Sequence, residues 1–360
     1  MKTFNFSAGP ACLPDPVIVA SRKAVLEYKN SGMSILEISH RSALIISLFE
    51  ETNQILRSLL NIPENYHVLW LQGGASTQFS MLPLNLLPEN GQADYIETGS
   101  WSTKAIAECN KIGKANVVGS SQNSTFSFIP KIYEQNSDAV YLHITSNNTI
   151  YGTQYKVLPQ VLNPDGFLAA DMSSDILSKP MNVSDFGLIY AGAQKNMGPA
   201  GVTLVIIRDN LVGKNYRELP TMLNYETHIK TDSMFNTPPV FSVFVVNETL
   251  KWLENIGGLK TIESINRNKA EKLYHEIDRN SLFMSPVVKE DRSMMNIPFI
   301  FTDTEKNDRD FIEFCVKRGL HTLKGHRSLG GFRASIYNAM PEEGIDALIK
   351  AMAEYEQINQ

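Results

Sequence analysis

The chain has 360 residues, 43% of them apolar and 20% charged, with a formal net charge of -5. That length suggests two domains around a large core, and the absence of a basic block or arginine-rich arm argues against a nucleic-acid partner. Cys12, Cys109 and Cys315 are too scattered for a zinc pattern or a disulfide framework, and no apolar run reaches the ~18–20 residues of a membrane span.

The first twenty residues are broken by Gly9, Pro10, Pro14 and Pro16 and form no signal-peptide core, so a reducing cytoplasm is the expected setting. Asp15 is placed to cap a helix with Pro16 at its first position, running to about Gly32. A second helix is predicted over Leu44–Leu60, stopping before Pro63. The run His67–Leu71 reads as a buried strand, followed by Gln72-Gly73-Gly74-Ala75-Ser76-Thr77 and a helix. Further strands are predicted at Ala93–Thr98, Asn116–Gly119, Ala139–Thr145, Phe167–Asp171, Leu188–Ala191 and Val202–Ile207, with a helix after Trp101. Apolar strands alternating with amphipathic helices argue for an α/β fold with a mostly parallel, seven-stranded sheet covered on both faces. The last two strands lack room for a crossover helix, so they should be antiparallel.

From Phe241 the pattern changes. One long helix ends at Gly257-Gly258, another covers Leu259–Arg279, and strands at Met295–Phe301 and Gly331–Ile336 mix with helices at Asp308–Arg318 and Glu342–Gln357. The expected division is a large domain over 16–257 and a smaller α+β domain made of 1–15 with 258–360.

In open α/β sheets ligands bind beyond the carboxyl ends of the strands. Three polar features fall at such ends: Gly73-Gly74-Ala75-Ser76, Asp171 and Lys195. Each has a plain alternative: a tight turn, a carboxylate capping Met172-Ser173-Ser174-Asp175, and a turn lysine. The glycines precede a helix whose N-terminus would favour an anion. Lys195 stands among Ala191, Gly192, Ala193 and Gly198, which leave room for something flat. Desolvation between strands would lower its pKa and free the amine as a nucleophile. Together these features describe a pyridoxal-phosphate site: a lysine for the Schiff base, an acid for the pyridinium proton and a helix N-terminus for the phosphate. Trp101, in Gly99-Ser100-Trp101-Ser102, could cover the ring, or could simply pack at a helix start. The chain has no GxGxxG, no Walker loop, no GxSxG and no HExxH, and its histidines show no metal-binding pattern.

At this point the chain resembles the phosphoserine aminotransferases, a class V branch of the fold-type I PLP-dependent transferases. The resemblance is carried nearly end to end by FNFSAGPACLP, SHRS, GGASTQF, GSWS, NNTIYGTQ, ADMSSDILS, YAGAQKNMGPAG, NTPP and KGHRSLGGFRASIYNA. It implies that Lys195 is the Schiff-base lysine and that Asp171 pairs with the pyridine nitrogen. It implies that Trp101 stacks on the ring, that Ala75, Ser76 and Gln194 serve the phosphate, and that Thr149 lies near the ring hydroxyl. Asn236 and Thr237 would reach the cofactor of a second subunit, making a homodimer with shared active sites.

Arginine forks suit a substrate bearing a carboxylate and a phosphate, although for any one of them taken alone surface charge is the simpler explanation. The resemblance assigns Arg333 to the α-carboxylate, and His40, Arg41, His326 and Arg327 to the phosphate or the glutamate side chain. Some members carry an arginine where this chain has Ser76. The implied reaction exchanges an amino group between L-glutamate and 3-phosphohydroxypyruvate, giving 2-oxoglutarate and O-phospho-L-serine, and the family often also acts on 4-phosphohydroxythreonine. The rival readings are a cysteine desulfurase, an alanine–glyoxylate aminotransferase, or a non-catalytic binding protein on the same scaffold. A desulfurase would need a mobile cysteine, whereas Cys315 lies in a helical, apolar run.

Overall fold

The computed structural model describes residues 2–214 and 216–359. The chain opens with β1 (Phe4–Asn5), α1 (Asp15–Leu26) and α2 (Ala43–Leu60). Then come β2 (Tyr66–Leu71), α3 (Gly74–Leu86), β3 (Gln92–Glu97), α4 (Ser100–Cys109), β4 (Lys114–Ser120), β5 (Tyr141–Thr145), β6 (Phe167–Asp171), β7 (Leu188–Gly192) and β8 (Thr203–Arg208). The remainder is α5 (Tyr225–Ile229), α6 (Val240–Asn255), α7 (Gly258–Arg279), β9 (Phe283–Met284), β10 (Asn296–Phe301), α8 (Asp308–Val316), β11 (Leu320–His321), β12 (Phe332–Ser335) and α9 (Glu342–Asn359).

Seven strands form the main sheet in the order β2-β8-β7-β6-β5-β3-β4. Only β8 runs against its neighbours, pairing antiparallel with both β2 and β7 as the short connection between β7 and β8 requires. The other pairs are parallel, so β2, β3, β5, β6 and β7 all deliver their carboxyl ends to one edge. Alternate residues of each strand enter different cores. Leu142, Ile144, Ile189 and Ile206 pack with Ile45, Leu48, Phe49, Val243 and Leu250 of α2 and α6. Tyr141, Leu188, Tyr190 and Ile207 pack with Phe79, Leu82, Ala105 and Ile106 of α3 and α4. Helices on both faces explain why the strands read as continuous apolar runs rather than alternating ones.

Two local expectations at α1 differ from the structure. Pro14 is the N-cap and Asp15 the first helical residue, so Asp15 contributes charge to the first turn rather than a side-chain cap. The helix also stops at Leu26, not near Gly32. Glu27 is extended, and Tyr28 leaves the helix to bury its ring edge-on against Phe244, 5.7 Å between centroids. A tertiary contact overrides the helical periodicity there. In α2, by contrast, local signals suffice: the Ser42 side chain accepts from the Ile45 amide, and Ile45, Leu48, Phe49, Thr52, Leu56 and Leu60 form one buried stripe.

A second sheet, β12-β10-β9, lies apart from the first, and β1 pairs with β11. Phe4 and Phe6 therefore share a core with Phe283, Phe299, Phe301, Phe311 and Phe332. α7 serves both regions: Leu259 and Ile262 join the α2–α6 core, while Ala270, Leu273 and Ile277 join the phenylalanine cluster. Phe311 is fully buried, with ring centroids of Phe283, Phe332 and Tyr355 at 4.8, 4.9 and 5.0 Å. Phe311→Ala should lower stability by about 3–5 kcal/mol, read as an earlier urea midpoint by circular dichroism. A loss under 1 kcal/mol would contradict this packing.

Candidate active site

Lys195 follows β7 in a tight turn, held where the amides of Met197 and Gly198 donate to the Ala193 carbonyl. Its Nζ donates to Thr149 Oγ1 at 2.6 Å and stands 5.2 Å from the Trp101 ring centroid. The N-terminal segment closes over the stem of the side chain. A Cβ added at Gly9 would stand 3.3 Å from Lys195 Cγ, so only a residue without a side chain fits comfortably there. Burial pushes the Lys195 pKa down to about 8; the Asp171 carboxylate opposes this and Arg333 reinforces it.

Asp171 is the last residue of β6. Its Oδ1 accepts from the Ser173 amide at 2.9 Å and from Ser173 Oγ at 2.6 Å. The turn-capping reading is therefore correct as geometry, and it is compatible with the acid reading. Ser173 Oγ also accepts from the Gly192 amide at 3.0 Å, tying the acid to the strand that leads into Lys195. Burial raises the Asp171 pKa, while Lys195 and the two Ser173 donors hold it down.

Thr149 belongs to a buried, irregular stretch after β5. Its neighbour Asn148 donates to Thr98 Oγ1 at 3.0 Å and Thr153 Oγ1 at 2.8 Å, fixing this stretch against the end of β3. Arg333, in β12, donates from Nη1 to the Thr149 carbonyl at 3.3 Å, and its Nε is buried with no partner among the described residues. Trp101 sits in the first turn of α4. Its Nε1 is likewise unpartnered, and Lys104 Nζ lies 4.6 Å from the ring centroid. His326 bonds Ser328 Oγ through Nδ1 at 2.7 Å. The Tyr151 hydroxyl donates to Ser328 Oγ at 3.3 Å and lies 3.2 Å from Ser100 Oγ. Burial, then Arg333, Arg327 and Lys104, lower the His326 pKa, so these cations converge on one region.

Gly73 opens α3 with φ 93°, and a Cβ there would collide with Thr77 Oγ1 at 2.0 Å. Ala75 and Ser76 lie in the first turn of α3, where backbone amides lack helical acceptors and suit an anion. Gln194 directly precedes Lys195, and its carbonyl accepts from the Ala11 amide at 2.9 Å.

The structure thus gathers Lys195, Asp171, Thr149, Trp101 and Arg333, with His326 and Arg327 behind them. No hydrogen bond or ion pair joins His40, Arg41, Asn236 or Thr237 to this group among the described residues. Asn236 donates to Gln72 Oε1 at 3.1 Å, Thr237 and Arg41 are exposed, and His40 Nε2 is buried without a partner. Sequence reasoning missed Ser173, Lys104, Tyr151 and Ser328. Ser173 could have been found in the turn after Asp171, and Lys104 from its i+3 spacing to Trp101. Nothing marks Tyr151 or Ser328.

No thiol is activated. Cys315 is fully buried with its pKa pushed up to about 12, and burial raises Cys12 and Cys109 as well. The cysteine-nucleophile alternative therefore loses its chemistry. His143 stacks between Tyr95 and Tyr190, and burial drives its pKa down to about 3, leaving a neutral core residue. Among the described residues no group of three acidic, histidine or cysteine side chains could hold a metal ion.

A family described as aminotransferase class-V matches residues 3–348. The chain belongs to the class-V aminotransferases. Within that family it is 51% identical over 360 residues to a phosphoserine aminotransferase of Bacillus cereus, covering 99% of each chain. The solved phosphoserine aminotransferase of Bacillus circulans subsp. alkalophilus superposes with a TM-score of 0.96 at 44% identity, covering 100% of this chain and 99% of that one. A PLP-bound phosphoserine aminotransferase from Trichomonas vaginalis superposes with a TM-score of 0.93 at 39% identity, covering 98% of this chain and 100% of that one. As expected of a class-V aminotransferase, the residues here fit pyridoxal phosphate. They supply a half-buried amine of lowered pKa, a buried acid, an aromatic face and a helix N-terminus at one sheet edge.

The Lys195 amine should be open to reductive alkylation in cofactor-free protein with a pH midpoint near 8. Asp171→Asn should move that midpoint lower, because removing the carboxylate removes the charge that favours the ammonium. A midpoint at the ordinary lysine value, or an upward shift in the variant, would contradict the electrostatics described.

Proposed function

We propose that this chain is a phosphoserine aminotransferase that uses pyridoxal phosphate to exchange an amino group between L-glutamate and 3-phosphohydroxypyruvate. The products are 2-oxoglutarate and O-phospho-L-serine. The observation that carries the reading is the desolvated Lys195 amine beside buried Asp171, facing cations that have no carboxylate of their own. Arg333, Arg327, His326 and Lys104 form no salt bridge among the described residues. A substrate with a carboxylate and a phosphate would supply the missing anions.

When bound, the cofactor supplies an electron sink for the substrate's Cα carbanion. Asp171 would hold a proton at the ring nitrogen, and Ser173 keeps that carboxylate aimed. Lys195 as a free amine would take the proton from substrate Cα and pass it, within the same half-reaction, to the cofactor's aldehyde carbon. Its lowered pKa serves that role, since an ammonium cannot accept a proton. Trp101 covers one face of the ring and excludes water. Thr149, held between Lys195 and Arg333, orients the amine before substrate arrives. Ala75 and Ser76, in the first turn of α3, would hold the cofactor phosphate, with Gln194 as a further contact. Arg333 binds the α-carboxylate, and its unpartnered Nε becomes satisfied by it.

The homodimer reading rests on surface chemistry. Leu26, Val19 and Ile18 on α1 are 73%, 53% and 51% exposed, apolar surface that suits a second copy. Asn236, Thr237, His40 and Arg41 would then complete the neighbouring site rather than their own. The division into 16–257 and 1–15 with 258–360 is supported by the separate phenylalanine core, with α7 running between the two parts. No helix among the described residues is long and apolar enough to cross a membrane, and free cysteines suit a cytoplasmic setting.

Borohydride treatment of freshly purified protein should tag Lys195, and Lys195→Ala should cut steady transamination of phosphoserine by ~10³-fold or more. An untagged lysine, or a half-reaction with alanine but none with phosphoserine, would sink the assignment. Shared sites predict complementation: mixing Lys195→Ala chains with Asn236→Ala/Thr237→Ala chains should restore turnover that neither has alone. Mixtures as inactive as their components would mean that each subunit builds its site unaided.

A further inference from the structure

Lys269 lies midway along α7, where the helix passes from one core to the other, and its side chain is fully buried. A buried ammonium is costly unless its donors are matched. No carboxylate bonds to it among the described residues. Its Nζ donates instead to the carbonyls of Tyr337 at 2.8 Å, Met340 at 3.1 Å and Ile336 at 3.2 Å, with that of Asn338 at 3.5 Å. All four belong to one turn, the turn that follows β12. The titratable groups facing the amine are Cys12, before α1, and Glu342, at the start of α9; neither accepts a hydrogen bond from it.

This turn grips the Lys195 segment from two sides. On one side the Asn338 amide donates to Asn196 Oδ1 at 2.9 Å, and Asn196 is the residue next to Lys195. Asn196 in turn donates to the Ile176 carbonyl at 2.6 Å, while Asn338 Nδ2 donates to the Leu177 carbonyl at 2.9 Å. Both carbonyls lie in the loop that leaves Asp171. On the other side the Tyr337 hydroxyl donates to the Ala8 carbonyl at 2.8 Å, and the next residue, Gly9, packs against the Lys195 stem. Four carbonyls aimed at one point repel one another unless a cation holds them. An apolar side chain of equal length would fill the volume and leave that repulsion in place.

We propose that Lys269 is a positioning residue for Lys195: its ammonium gathers the turn Ile336–Met340, and that turn fixes the backbone on both sides of the reactive amine. It touches neither substrate nor cofactor, and only the kinetic part of its test rests on the transamination reading above.

The test compares Lys269→Met with Leu348→Ala. Leu348 is fully buried in the same phenylalanine core and contributes no hydrogen bond to the turn, so it reports stability loss alone. In cofactor-free protein, Lys269→Met should speed exchange of the Asn338 amide about tenfold or more. It should also raise the alkylation midpoint of Lys195, because a loosened turn admits water around the amine. In holoenzyme it should lower kcat about tenfold while both KM values stay within about threefold. Leu348→Ala should lower the melting temperature yet leave the midpoint and kcat near wild type. Lys269→Gln, which keeps two N–H donors, should recover part of each effect and serves if the methionine variant does not fold. Unchanged exchange and midpoint in Lys269→Met or Lys269→Gln, with only a lower melting temperature, would overturn the proposal. If the wild-type protein failed to transaminate phosphoserine, the exchange and midpoint measurements would still decide it.

Discussion

The structure depends on keeping one half-buried amine close to one buried acid. Burial alone would strip the charge from both Lys195 and Asp171, since it lowers the first pKa and raises the second. Each restrains the other's shift, so their ionisation is a property of the pair. Ser173 adds two donors to the acid, and Thr149 offers the amine an acceptor without charge. The result is a base that sheds its proton near pH 8 beside an acid whose upward shift Lys195 and Ser173 restrain.

A parallel sheet makes this arrangement economical. Strand ends from distant parts of the sequence arrive at one edge, and each is succeeded within a few residues by a group of the site: Gly73 after β2, Trp101 after β3, Thr149 after β5 and Lys195 after β7. Asp171 closes β6 itself. Arg333 comes from the other sheet, so the site also requires that the two sheets dock in one register. The seam between them is polar and satisfied. Asn147 donates to Ser174 and Asn296, and accepts from Ser293; Asn296 donates to Ser335 and Tyr337, all of them buried. A greasy seam would tolerate sliding. Buried amides whose partners are specified hold a single alignment, because a slip would leave several donors unpaired.

The seven strands of the main sheet, their mostly parallel direction and the position of Lys195 and Asp171 at strand ends were legible in the sequence, because apolar runs and single polar residues at their ends are local signals; the order of the strands and the short β1, β9 and β11 were not. The end of α1 was not, because the burial of Tyr28 against Phe244 decides it from more than 200 positions away. Tyr151, Ser328 and Asn148 act through loop geometry that leaves no periodic trace. Lys269 illustrates the hardest case: on an amphipathic helix a lysine reads as a solvated face, and only the fold shows four carbonyls waiting for it. Motif resemblance implied roles for His40, Arg41, Asn236 and Thr237, yet no hydrogen bond or ion pair among the described residues joins them to the site, and a second-subunit role was implied for Asn236 and Thr237 alone.

Charge distribution adds a last constraint. The chain is acidic overall, at -5, yet the region around Trp101 collects Lys104, His326, Arg327 and Arg333 with Asp171 as the acid beside Lys195. The surplus is therefore local and is not a by-product of composition. A concave, low-dielectric site lined by one sign of charge focuses its field outward and raises the local concentration of an anionic ligand. Lys104 and Arg327 are exposed enough to act first, at the rim, while Arg333 lies deeper with a donor still unused. Selectivity for a doubly anionic substrate can then reside at the entrance, away from the atoms that exchange the proton.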